Sequence, residues 1–170
     1  MTTEAGAPEV LHAWNLYLRA SEEARRRGDR RTGTDHLLLA LLEDPSTEAV
    51  LGVSLQQARQ ALESLDHEAL GALGMGSGTD APPLPMRAVP KKPTLRDIAK
   101  NDRLRMTPAA KKVLQEAARP NRRKLQMTAQ QVLAQILTLQ PRDPAAVLLG
   151  ALGVNTSEVR RRLDAVTPGS

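Results

Sequence analysis

The sequence predicts an all-α protein built as a tandem repeat of two four-helix units, an eight-helix pseudo-twofold bundle. Three observations predict it. The 170 residues are 41% hydrophobic but include one Trp, one Tyr and no Phe. The core must therefore come from Leu, Ala and Val, which suits close-packed helices better than a β-sandwich. The block "TDHLLLALLE" from Thr34 returns as "TAQQVLAQIL" from Thr128, an offset of 94 (128 − 34) that matches Leu38/Val132, Leu39/Leu133 and Leu42/Ile136. Further on, "LGVSLQQARQAL" reappears as "LGVNTSEVRRRL" at an offset of 101 (153 − 52). An internal repeat outweighs any single local motif.

Each element follows from its own signals. Residues 10–27 carry Val10, Ala13, Trp14, Tyr17, Leu18, Ala20 and Ala24 at a helical period, with a basic last turn that suits the helix dipole and Gly28 as a stop. Thr34 or Gly33 caps a short second helix through Leu42. Pro45 opens a third ending near Gly52, and Ser54 caps a fourth, "LQQARQALESL". In the second half Thr107 at the N-cap and Pro108 at the first helical position start "PAAKKVLQEAAR". Leu38, Leu39, Leu42, Val132, Leu133 and Ile136 are the expected centre of the core.

Between the halves, "GMGSGTDAPPLPMRAVPKKP" holds Gly, Ser and Pro at a density that suits neither helix nor strand. The resulting division is an N-terminal tail over 1–8, a first repeat over 9–73, a linker over 74–93, a second and diverged repeat over 94–166, and a tail over 167–170.

Composition narrows the function classes. Without cysteine there is no disulfide, thiolate nucleophile or thiolate metal site. The start "MTTEAGAPEV" lacks a signal-peptide pattern, and no apolar run reaches the roughly 20 residues of a membrane span. A soluble, cytoplasmic protein is expected, with no cofactor and no metal. The net charge of +5 comes mostly from Arg set among Glu and Asp, a weak pointer to acidic partners.

At "ASEEAR", "TGTDHLLLALLEDP", "LGVSLQQAR" and "MTPAAKKVL" the chain resembles the N-terminal double-repeat domain of Clp-type AAA+ chaperones, the ClpC group above all. The resemblance implies a Clp N-domain-like bundle that binds adaptors, unfolded substrates, phosphoarginine-marked proteins or cyclic peptides and passes cargo to an ATPase ring. No G-x-x-x-x-G-K-[ST] occurs, and "GMGSG" lacks the following Lys. A free-standing, non-enzymatic domain is the expectation.

The same resemblance nominates site residues. An acidic residue in each Gly-Thr-Glu-His motif of ClpC-like domains is implicated in holding the guanidinium of phosphoarginine; here the first is Asp35, and Ala129 stands at the second. Thr34, Asp35 and His36, with Arg25, Arg26, Arg27, Arg30 and Arg31, form the candidate ligand site. A weaker equivalent comprises Arg119, Arg122, Arg123, Lys124 and Thr128. The second motif's His is replaced by Gln130, its loop is shorter than the family's, and the aromatic expected at each repeat start is replaced by Glu9 and Met106. Met106, Lys111 and Gln115 mark diverged positions of the family's peptide and antibiotic site.

Competing readings of these residues stand beside the functional ones. His36 fits a hydrogen-bonded role at a helix start better than that of a ligand or base, since only His12 and His67 accompany it. Asp35 suits the first turn of a helix on dipole grounds alone. The clusters "RRRGDRR" and "RPNRRK" read either as solvated helix ends or as Arg forks for phosphate or acidic protein. Trp14 and Tyr17 fall in a core-like stripe, which removes the stacking platforms that nucleic-acid binding would use.

The functional expectation is a protein- or peptide-binding module acting as adaptor for, or decoy of, a Clp ATPase or protease system. Its partners would be Clp subunits, adaptors or substrate proteins. The alternative is a small basic nucleic-acid-associated regulator using the two Arg clusters.

Overall fold

Pro and Gly punctuate this chain where its helices begin and end. Pro45, Pro108 and Pro144 each stand at the start of a helix whose N-cap side chain, from Asp44, Thr107 or Asp143, accepts a backbone N–H. Gly28 and Gly52 close helices in the left-handed conformation, with φ of 81° and 72°. A computed structural model of the protein describes residues 10–72, 74, 105–121 and 123–166. The expected tails, and the linker apart from Gly74, lie outside them.

The first half runs β1 (Val10–His12), α1 (Ala13–Arg27), β2 (Arg31–Thr32), α2 (Thr34–Leu41), α3 (Pro45–Leu51) and α4 (Leu55–Ala72). The second runs β3 (Arg105–Met106), α5 (Pro108–Ala117), a single 3-10 turn (Arg119–Asn121), β4 (Gln126–Thr128), α6 (Ala129–Ile136), α7 (Pro144–Ala151) and α8 (Thr156–Val166). The described residues thus hold eight helices, four in each half, as the repeat predicts.

The short strands are an addition to that expectation. Residues 10–12, expected as the start of α1, are extended and pair antiparallel with β4, placing Val10 opposite Thr128, Leu11 opposite Met127 and His12 opposite Gln126. β2 and β3 pair in parallel, Arg31 beside Arg105 and Thr32 beside Met106. Both ladders join one half to the other.

One contiguous core spans both halves, from Leu16 and the Leu37 to Leu41 stretch of α2 to Val132, Leu133, Ile136 and Leu148. The six residues expected at its centre are all buried. α1 departs from expectation. Its buried residues are Leu16, Ala20, Ser21, Glu23 and Ala24, whereas Trp14 is 49% exposed and Val10 60%. The buried face includes Glu23, which Arg59 on α4 holds through two bonds, a tie that apolar spacing cannot signal.

The caps also correct the repeat register. α1 and α5 are capped by His12 and Thr107, and α2 and α6 by Gly33 and Thr128, an offset of 95 in each case (107 − 12, 128 − 33). Thr34 therefore corresponds to Ala129, Asp35 to Gln130 and His36 to Gln131. Met106 corresponds to Leu11 rather than to Glu9.

Candidate functional site

The first turn of α2 gathers the motif residues. Gly33 is the N-cap, and with no side chain to offer it is itself capped: its N–H donates to Nδ1 of His36 at 3.0 Å. The opposite ring nitrogen, Nε2, lies 3.0 Å from Oδ2 of Asp29. This pattern assigns a neutral ring carrying its proton on Nε2. Nδ1 is also 3.3 Å from Oδ1 of Asp35. A proton there would bring His36 to Asp35 and give up the Gly33 cap. In the second half Gln131 does the work of His36, accepting from the Thr128 N–H at 2.9 Å while its own N–H donates to the Thr128 hydroxyl at 3.2 Å.

Asp35 is buried, and its charge is answered from within the chain. Nη1 of Arg27 donates to its Oδ2 at 3.1 Å. The same guanidinium sits 3.4 Å from Asp29 and reaches Asp66 on α4 through Nη2 at 2.6 Å. Burial disfavours the Asp35 carboxylate, but His36, through its ring and its backbone N–H, and the Arg27 charge hold its pKa below the ordinary value. The ring's share belongs to the imidazolium form, whereas the backbone N–H and Arg27 act in either state. Burial also disfavours the Arg27 charge. Its hydrogen bond to Asp66 and the charges of Asp29, Asp66 and Asp35 nonetheless hold its pKa above the usual value.

Thr34, the third motif residue, faces the other half. Its hydroxyl donates to Oδ1 of Asp143, the N-cap of α7, and lies 3.4 Å from the Ala145 N–H. The motif's polar atoms are thus committed to internal bonds: Thr34 joins the halves, His36 caps its own helix, and Asp35 holds Arg27.

The remaining expected residues are dispersed. Arg25 is half-buried near the end of α1, and Arg26 is exposed, 3.6 Å from Glu23. Arg30 and Arg31 are exposed ahead of α2. In the second cluster Arg119 meets Glu116 at 3.4 Å, and Arg123 and Lys124 are exposed in the turn before β4. Arg122 lies outside the described residues. Met106 is half-buried in β3, and Lys111 and Gln115 are exposed on α5.

Sequence reasoning missed Asp29, Asp66, Glu23, Arg59 and Asp143. Asp29 was in view but hidden in a run of arginines. Asp66 is separated from Arg27 by 39 positions, and the buried Glu23 finds Arg59 on α4, 36 positions away, through two bonds. No local pattern announces such pairs. Among the described residues no group of three or more His, Asp or Glu could hold a metal, and no helix is long and apolar enough to cross a membrane.

Comparison with protein families matches residues 11–127 to the Clp repeat (R) N-terminal domain. No curated protein sequence matches the chain.

Proposed function

The chain belongs to the Clp repeat N-terminal domain family, a family of protein-interaction modules, and from that premise we propose that it binds proteins of a Clp ATPase or protease system in the cytoplasm, as an adaptor or as a decoy. The observation that carries the reading is the family match over residues 11–127, in a chain whose described helices form two four-helix halves around one shared core. The fused core supports it further, because a rigid scaffold presents a fixed surface to a partner.

The test is capture of partners on the immobilised full chain from a lysate of the source cells, with and without nuclease. Recovery of Clp subunits in both conditions supports the reading. Recovery that nuclease abolishes favours the nucleic-acid alternative. Adding the chain to the captured ATPase and a model substrate then separates the two roles: an adaptor speeds substrate degradation and a decoy slows it.

Within this reading, a ligand guanidinium at Asp35 competes with Arg27 for the same carboxylate. Phosphoarginine recognition of the family's kind therefore takes an exchange form here. Titration of phosphoarginine, with arginine and inorganic phosphate as controls, moves the signals of Asp35 more strongly in Arg27→Ala than in the wild type. It leaves those of Gln130, the uncharged counterpart, still. A larger response at Gln130 than at Asp35 would remove this part of the reading.

A further inference from the structure

A groove of about 550 Å³ lies between α5 and the loop joining α6 to α7, inside the roughly 300–1,000 Å³ range of ligand sites. Its origin can be followed residue by residue. The offset of 95 between the halves rises to 99 (143 − 44) at the caps of α3 and α7. The second half therefore has a longer loop at this point, and that loop supplies Leu139 and Arg142 as one wall. On the other wall Ala109 and Lys112 of α5 stand where α1 carries Trp14 and Tyr17, two rings packed with their centroids 5.4 Å apart. A methyl group and a flexible amine in place of two rings remove bulk that would close such a groove.

The lining has a definite chemical character. Ala109, Val113, Leu139 and Pro144 supply apolar surface. The acids beside it are already engaged: Glu116 faces Arg119 at 3.4 Å, and Asp143 accepts the Ala145 N–H at 3.1 Å together with the Thr34 hydroxyl. Lys112 and Arg142 are exposed and have no ion pair among the described residues. The groove thus offers an apolar floor and two uncommitted cations.

We propose that this groove binds an acidic peptide segment of a partner protein, taking one apolar side chain on its floor and carboxylates on Lys112 and Arg142. The proposal rests on the protein-binding reading above and names the partner's chemistry. Arg142 can take a carboxylate in a two-bond fork and Lys112 as a point charge. A segment with basic flanks would meet two like charges instead, so the same pair selects against it.

The test uses the full chain and three dye-labelled peptides: a leucine flanked by glutamates, the same leucine flanked by lysines, and glutamates alone. Fluorescence anisotropy reads the affinity. The first peptide binds, and the double variant Lys112→Glu/Arg142→Glu weakens it by about tenfold or more. The lysine-flanked peptide gains on that variant. Ala109→Trp, which places in the groove the residue that the first half carries, weakens the first peptide with Lys112 and Arg142 intact. Lys112 and Arg142 are exposed and Ala109 is half-buried, so unchanged helical signal and melting temperature are required of both variants to confirm their folding. Equal affinity for the acidic and basic peptides, equal affinity for glutamates alone, or folded variants that keep the wild-type affinity would each overturn the proposal. So would self-association that Ala109→Trp abolishes, which would make a second copy the occupant. Loss of peptide binding with Clp subunits still captured overturns the groove alone, and peptide binding with no Clp capture overturns the Clp reading alone.

Discussion

Gly33 and Asp35 share one space. A Cβ built on Gly33 would stand 2.3 Å from Oδ1 of Asp35, so the carboxylate occupies the position that another residue's side chain would take. The Gly33 φ of −96° is one that any residue adopts. Packing, not backbone freedom, calls for glycine here.

Gly33→Ala therefore drives the Asp35 side chain away from Arg27 and His36. A loss of about 1–3 kcal/mol is expected, as for other overpacked sites, read as a lower urea midpoint. Asp35→Ala removes the clash, so the double variant falls short of the sum of the two single losses.

Acid should find the same carboxylate. The folded-state pKa of Asp35 is lowered, so its stabilising contribution is fully present above the unfolded value and is lost as pH falls through the folded value. The wild type then loses stability as pH falls through and below the ordinary carboxylate range, and Asp35→Asn flattens that part of the profile. A profile of urea midpoint against pH that is the same in both proteins would contradict this account.

Glu23 is 3% exposed in its side chain and bonds Arg59 at 3.1 Å from Nε and 2.5 Å from Nη2. Arg59→Met leaves that charge buried with only the more distant Arg26, at a cost of about 3 kcal/mol. Adding Glu23→Leu removes the stranded charge, and the double variant recovers most of the loss in thermal melting. A double variant as unstable as Arg59→Met alone would show that the pair acts through shape and not charge.

Leu39 is fully buried, whereas its counterpart at the offset of 95, Ala134, is half-buried. Leu39→Ala opens a cavity in the core, and costs about 2–5 kcal/mol. Ala134→Gly removes far less volume, and its chemical-denaturation midpoint moves mainly by the helix propensity of glycine, about 1 kcal/mol.

The sequence made the helices legible because their caps and stops are local. Pro45, Thr107 with Pro108, Gly28 and Gly52 each signal within a few residues. The apolar block repeated strongly enough to reveal two halves, but its register was misread by one position. Thr34 and Thr128 share a letter and not a role: Thr128 caps α6 with its hydroxyl, whereas the cap of α2 is a glycine held by a histidine three residues on. Strands of two or three residues, such as β2 and β1, are too short to show alternation. Trp14 looked like core because aromatic residues usually are. Yet it stands exposed, while Glu23 of the same helix is buried against Arg59 of α4. The candidate site was legible as a set of letters at α2. Its internal commitments to Arg27, Asp29, Asp66 and Asp143 were not, since each joins segments that only the fold brings together.

The two ladders that cross between the halves have a kinetic consequence. Thr34 meets Asp143 at a separation of 109 residues, and Val10 meets Thr128 only when still more chain, 118 residues (128 − 10), has been collected. Closing such loops costs entropy before the contacts repay it. Individual helices can flicker early, but the core, shared across the repeats, gains most of its stability in a late and concerted step. Either repeat alone would present an unfinished sheet edge and half of an apolar interior to water. The protein is therefore expected to melt in a single transition, and damage in one repeat to be felt at once in the other.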